Sequence, residues 1–314
     1  MLNTSKGGRL RRLLSAVIVA LALHGSAFVA GAQEPVEDEI AVVSAALAQF
    51  RELASYRFSG ETSLRQETFI NENTALVQTE QVLNGIRTSQ GTQTEFLVEQ
   101  TFGGDVEPFS WTLRVERIAL EDAVWLRFSD LDVPQSLRGS IFELPQGWFV
   151  PQGLPQDITQ LTPADLGLAT FIDGYARAVV IPPLLDYPLE ARTIVSFEQL
   201  ADETIGGETL RVYQVTFNAF GLYIVSSGQN WGSTLFGFEA SGIDVARFFV
   251  EGGLQVSGRY WLDSAGQIAQ VEERIRIQVT PDQLSAGYEF INETRVRMRF
   301  SDFDVPVEIA APDA

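Results

Sequence analysis

From Thr294 to Phe300 the chain reads Thr-Arg-Val-Arg-Met-Arg-Phe, and from Ala269 to Val279 apolar and polar residues again take turns. A period of two belongs to the β-strand, because successive side chains point to opposite faces. Val296, Met298 and Phe300 share one face, with Arg295, Arg297 and Arg299 on the other. Upstream, Ala269, Val271, Ile275, Ile277 and Val279 stand opposite Gln270, Glu272, Arg274, Arg276 and Gln278. One apolar face and one wet face is the pattern of an antiparallel sheet.

The same period runs through the first half of the chain. Strands are expected over 56–65, 75–83, 94–102, 109–118 and 123–128, where Phe109, Trp111, Leu113 and Val115 alternate with Ser, Arg and Thr. Their short spacing implies a meander. Later strands are expected over 191–200 and in the hairpin 202–217, turning at Gly206-Gly207, a pair that tolerates the positive φ of a tight hairpin. The final hairpin turns at "DSAG", Asp263–Gly266.

Helical signals are few. In "DEIAVVSAALAQFRELASY", Ile40, Val43, Leu47, Phe50 and Ala54 follow three-four spacing, with Asp38 and Glu39 at the start, where acids suit the helix dipole. "LTPADLGLATFIDGYA" offers Thr162 as N-cap and Pro163 at the first helical position. "VVIPPLLDYPL" is an apolar loop broken by proline, and 218–253 is rich in aromatics and glycine without a clean period.

These irregular segments hold Phe171, Tyr175, Leu184, Leu185, Tyr187, Phe220, Tyr223, Trp231, Phe236, Phe238, Phe248 and Phe249. Singly, each reads as ordinary core. As a group they are expected to cap the concave face of a curved sheet and to line an apolar cavity, the usual form of a small-molecule site. The stretch 218–253 is expected to pack over the sheet in short helical pieces and to line the cavity mouth.

The first residues read as a targeting segment. Lys6, Arg9, Arg11 and Arg12 precede an apolar run, Leu13–Leu23, and "AGA" follows at 30–32. This is the layout of a secretory signal peptide, with cleavage expected after Ala32. A membrane-spanning anchor needs about 20 apolar residues, and His24, Gly25 and Ser26 interrupt this run. Residues 33–314 are then expected to form a single domain. Four of the 22 basic residues and none of the 41 acidic ones lie in the leader, leaving 18 against 41, a net charge of −23. Such a surface repels nucleic acid.

Beyond residue 32 there is no His, Cys or Lys. That removes Ser-His-Asp and Cys-His machinery, thiolate and histidine metal sites, Schiff bases and P-loops. A glycosidase needs two acids facing across a cleft, and no spacing selects such a pair. No enzymatic activity, metal or cofactor is expected.

One motif occurs twice: "RFSDLDVP" at Arg127–Pro134 and "RFSDFDVP" at Arg299–Pro306. As calcium loops the two lack the Gly and the closing Glu of an EF-hand. Each closes a strand with the same parity, Val124, Leu126 and Phe128 in one case and Val296, Met298 and Phe300 in the other, and Pro cannot continue a ladder. The repeat reads as one way of ending a strand, used twice.

Four stretches resemble the LolA/LppX-type lipoprotein-carrier superfamily of exported bacterial proteins. They are "ALAQFRELASYRFSGETSL" after the leader, the hairpin "LADETIGGETLRVYQVTF", the hairpin "VSGRYWLDSAGQIAQVEERIRI" and the closing "MRFSDFDVPVEIAAP". The resemblance implies an α+β fold: a strongly curved antiparallel β-sheet, a half-barrel, covered on its concave face by a few helices and loops. It implies a non-enzymatic carrier or sensor whose partner is a lipid, an acyl chain or a lipidated protein, with transient membrane contact and no nucleic acid. The expected setting is periplasmic or extracellular, as a monomer. Family members are often anchored through a lipidated cysteine, which this chain lacks, so it resembles the released carriers. The alternative from the same residues is a structural or regulatory envelope β-protein that binds another protein and fills its core with its own side chains.

Overall fold

A computed structural model describes residues 37–70, 73–105, 107–134, 143–152, 163–178, 182–225, 248–249, 251–280 and 288–312. Alternation becomes strand throughout. The strands are β1 (Ser55–Ile70), β2 (Asn73–Thr88), β3 (Gly91–Gly104), β4 (Phe109–Leu120), β5 (Val124–Asp132), β6 (Ile194–Gln199), β7 (Glu203–Ile205), β8 (Glu208–Phe217), β9 (Leu254–Leu262), β10 (Ile268–Val279) and β11 (Tyr288–Ser301). Their order is β5-β4-β3-β2-β1-β11-β10-β9-β8-β6, with β7 also paired to β8. Every pairing is antiparallel. The sheet does not close on itself, and with its helices it is a curved α+β half-barrel.

The long central strands outrun the expected ones because their register stays unbroken. β1 pairs with β11 from Arg57↔Ser301 to Ile70↔Tyr288, and with β2 from Ser55↔Thr88 to Ile70↔Asn73. Phe58, Phe300 and Gly85 therefore share one face, as do Gly60, Met298 and Leu83. The residues between them form the polar face.

Three α-helices are described: α1 (Glu37–Arg51), α2 (Pro163–Ala176) and α3 (Ala219–Val225). α1 stops well short of Tyr56, where the apolar spacing had suggested it would run. Tyr56 already pairs with Arg87 inside the sheet, so strand pairing overrides helical spacing at that end. Val43, Ala46, Leu47 and Phe50 of α1 are buried, and the Phe50 ring lies 4.7 Å from Phe300 and 4.9 Å from Tyr56. α2 sits over β4 and β5, with Phe171 and Tyr175 at 5.7 and 5.9 Å from Phe128. Arg117 donates from Nε to the Ala176 carbonyl at 3.1 Å, a cation where the last helical carbonyls need one. The N-cap expected at Thr162 lies outside the described residues.

The Pro-broken loop becomes one 3-10 turn, Pro183–Leu185, with Leu184 and Leu185 buried. Leu184 seats directly on Gly258: a Cβ there would come within 2.5 Å of Leu184 Cδ1. The Tyr260 hydroxyl donates to the Leu184 carbonyl at 3.2 Å, and Arg51 donates to the Leu185 carbonyl at 2.7 Å. The Gly206-Gly207 turn has φ of 65° and 87°, as the sequence indicates.

The repeated octapeptide ends β5 and β11 in the same way. Asp130 and Asp302 both have φ of 52°. Each meets an arginine of the neighbouring strand, Asp130 with Arg114 at 2.9 Å and Asp302 with Arg57 at 3.2 Å. Those arginines pair with the preceding serines, Arg114↔Ser129 and Arg57↔Ser301. The second copy does more: Asp304 accepts the Ala54 N–H at 2.7 Å and its own N–H reaches Ser55 O at 2.9 Å. It thereby fastens the junction between α1 and β1.

On β10 the structure corrects the expected faces at two places. A register shift between Ile268 and Gln270 puts Ile268 in the main core. Ala269 packs instead with Leu210, Val212 and Trp261 in a small separate cluster. Glu273, at a position of apolar parity, lies on the helix-covered face opposite Gly258 and Val296.

Candidate functional site: the helix-covered face

The helix-covered face has two halves. Near α1, Phe58, Leu83, Phe96, Val98, Leu113, Val115, Leu126, Val271, Tyr260 and Phe300 are all buried in one continuous core. Further along the same strands, Leu64, Val77, Phe102, Phe109, Trp111, Ile275, Ile277, Phe290 and Val296 are only half-buried. Phe102 and Phe109 stack face to face at 4.6 Å, yet α1, α2 and α3 leave this stretch partly open. Alternation is the signal that finds these residues.

The residues expected to line a cavity divide by place. Leu184, Leu185, Tyr187 and Phe248 are buried side chains, with Tyr187 edge-on to Phe217 at 5.3 Å. Phe171 and Tyr175 are half-buried on α2, 6.3 Å from Trp111 and 6.5 Å from Phe96 respectively. Burial pushes the Tyr175 hydroxyl up to about 12. Phe220 and Tyr223 of α3 each lie 5.5 Å from Phe249, which lies 5.5 Å from Phe248. Trp231, Phe236 and Phe238 lie outside the described residues.

Glu273 was not singled out from the sequence, although two consecutive glutamates in "VEERI" break the alternation. It is 1% exposed, and neither carboxylate oxygen has a regular hydrogen bond. Burial pushes its carboxyl up to about 7, against the weaker pull of the Tyr187 hydroxyl and the Leu184 N–H. A buried acid near neutrality is poised to change charge in the physiological range.

The polar face holds the opposite case. Glu272 has a side chain only 2% exposed and meets Arg274 and Arg295, each at 2.7 Å, and Arg297. Burial alone raises its carboxyl, but hydrogen bonds from the three arginines outweigh that and hold it at about 2. A twisted sheet is saddle-shaped, and the polar face carries two hollows, of about 680 and 800 Å³. Among the described residues no group of acids is placed to hold a metal, and no helix is long and apolar enough to cross a membrane.

An open antiparallel half-barrel with helices on its apolar face is the class that this fold defines. No family model and no curated protein matches the chain. Among solved structures it is similar to the Mycobacterium tuberculosis lipoprotein LppX, at 10% identity over 86% of this chain and 97% of that one, with a TM-score of 0.32. It is similar to LprF from Mycobacterium bovis at 11% identity, over 90% and 100% of the two chains, with a TM-score of 0.36. A putative outer membrane lipoprotein-sorting protein domain from Vibrio parahaemolyticus matches at 10% identity, over 86% and 93%, with a TM-score of 0.20.

Proposed function

We propose that this protein is an exported, non-enzymatic carrier or sensor that holds a lipid, an acyl chain or a lipidated protein against the open half of the helix-covered face. The observation that carries the proposal is the run of half-buried Leu64, Val77, Phe102, Phe109, Trp111, Ile277 and Phe290 on one face. These apolar side chains, interspersed on the same face with Gln66, Thr79, Gln81 and Gln100, offer partly exposed apolar surface of the kind that takes a ligand. Binding would be driven by burial, at about 0.8 kcal/mol for each CH₂ removed from water. The chemistry of the chain agrees, since no His, Cys or Lys follows residue 32. In this reading the leader is cleaved, residues 33–314 act as one domain in the periplasm or outside the cell, and the protein works as a monomer.

The segment 218–253 is proposed to border the entrance, with Phe236 and Phe238 among its contacts. Titration with a fluorescent fatty acid tests this. The F236D/F238D double variant is expected to melt like the parent and to take up at least about tenfold less ligand. Unchanged uptake, or loss of the fold, would remove that segment from the site.

The second reading, an envelope β-protein without a ligand, draws on the buried Leu184, Leu185, Tyr187 and Phe248, which fill part of the same face with the chain's own side chains. A stoichiometric protein partner, with no fatty-acid uptake by the parent chain, would favour it.

A further inference from the structure

The larger hollow, about 800 Å³, lies on the polar face across β2, β1, β11, β10, β9 and β8. Arg65, Arg274, Arg276 and Arg295 line it, in a chain whose residues beyond 32 carry a net charge of −23. Arg274 and Arg295 stand directly opposite each other in the β10–β11 register. Like charges in that position repel. The nearest counter-charge is the Glu272 carboxylate, which Arg297 shares as well, and Arg297 also meets Glu61 at 3.8 Å. Three cations share two carboxylates, which leaves the row short of one negative charge.

The hydrogen bonding is short in the same place. Arg276 and Arg295 are diagonal neighbours across β10 and β11; the Arg295 Nε is buried without an acceptor, and the Arg276 Nε lies 3.2 Å from Glu293 without the alignment of a hydrogen bond. Their side chains are 41% and 40% exposed, and that of Arg274 is 57% exposed, so the guanidinium ends face the hollow. The acids on the rim leave this deficit standing. Glu293 is engaged by Arg276 at 3.2 Å, and Glu80 lies on β2, with β1 and β11 between it and β10. The Glu272 carboxylate, held far below its usual range, stays ionised and keeps the three guanidinium groups aligned.

We propose that this hollow is a binding site for a phosphate-type oxyanion, held by Arg274, Arg276 and Arg295 with Glu272 as their fixed backing. Arginine's planar fork suits phosphate oxygens, and donors that have lost water without gaining a partner favour an incoming anion. The site lies on the opposite side of the strands from the apolar face, so it stands or falls independently of the lipid reading.

The probes are glycerol phosphate, for a soluble source, and vesicles of phosphatidylglycerol against phosphatidylcholine, for a membrane headgroup. The full chain should bind at least one of the two phosphate probes saturably, prefer the anionic vesicle, and weaken with salt. Binding should fall at least about tenfold in R274Q and in R276Q. Binding of glycerol phosphate alone assigns a soluble phosphate, and binding of anionic vesicles alone assigns a headgroup. In the unsubstituted protein, the Nε–Hε resonances of Arg276 and Arg295 should shift on titration, which decides the matter even if a variant misfolds. No saturable binding of either probe, resonances that do not move, or equal binding by well-folded R274Q and R276Q would overturn the proposal.

Discussion

At the scale of single residues, two adjacent glutamates on β10 answer opposite environments. Glu273 is pushed up from 4.5 to about 7 by burial. The folded state therefore binds a proton more tightly than the unfolded chain. Its stabilising contribution is full below about pH 4.5 and is lost as pH rises through about 7, a loss of roughly 3 kcal/mol. E273Q should melt like the parent at pH 5 and at a higher temperature at pH 8. A variant that shows no gain at pH 8 would place the carboxylate in contact with water or a cation. Glu272 runs the other way, with its carboxyl held at about 2. Its contribution is present above pH 4.5 and lost as pH falls through about 2. The arginines around it are 38–57% exposed, so solvent screening keeps that contribution to the order of 1–2 kcal/mol. Asp302 gives a backbone test. Its φ of 52° disfavours an L side chain, so D302G should be more stable than D302A by about 1 kcal/mol. Equal stability of the two in chemical denaturation would contradict the left-handed strand end.

At the scale of elements, the strands were legible and the details at their ends were not. Alternation places Val296, Met298 and Phe300 on the buried side, and it marks both hairpin turns correctly. It does not show the register shift at Ile268, because a bulge changes the parity by one residue without altering composition. The spacing of Ile40 to Ala54 overstates α1, since Tyr56 satisfies its backbone in the sheet. The apolar stretch around Leu184 reads only as a loop. Its role emerges from a contact distant in sequence, the seat on Gly258. G258A should therefore destabilise the protein by about 1–3 kcal/mol, because a fully buried leucine has no room to yield. A thermal melt unchanged by G258A would mean that the turn is loosely docked. Of the aromatic residues singled out for the site, Tyr187 and Phe248 are core, and the half-buried Phe102, Phe109 and Trp111 lie on strands that the alternation marks.

At the scale of the whole molecule, one sheet keeps two chemistries apart. The helix-covered face carries the buried core, and at its far end half-buried apolar residues extend beyond the described helices. The opposite face gathers arginines in a chain that is otherwise strongly acidic. The two faces should respond separately to mutation. Substitutions at Arg274 or Arg276 leave fatty-acid uptake unchanged, while those at Phe102 or Phe109 leave phosphate binding unchanged. The carrier reading is tested most directly by native mass spectrometry of the full chain purified from its host without detergent. A bound lipid mass is expected on each chain, lost in F102D/F109D while the melting temperature stays within a few degrees of the parent. A parent protein that flies only as the bare chain, and remains bare after incubation with long-chain fatty acid, would contradict it.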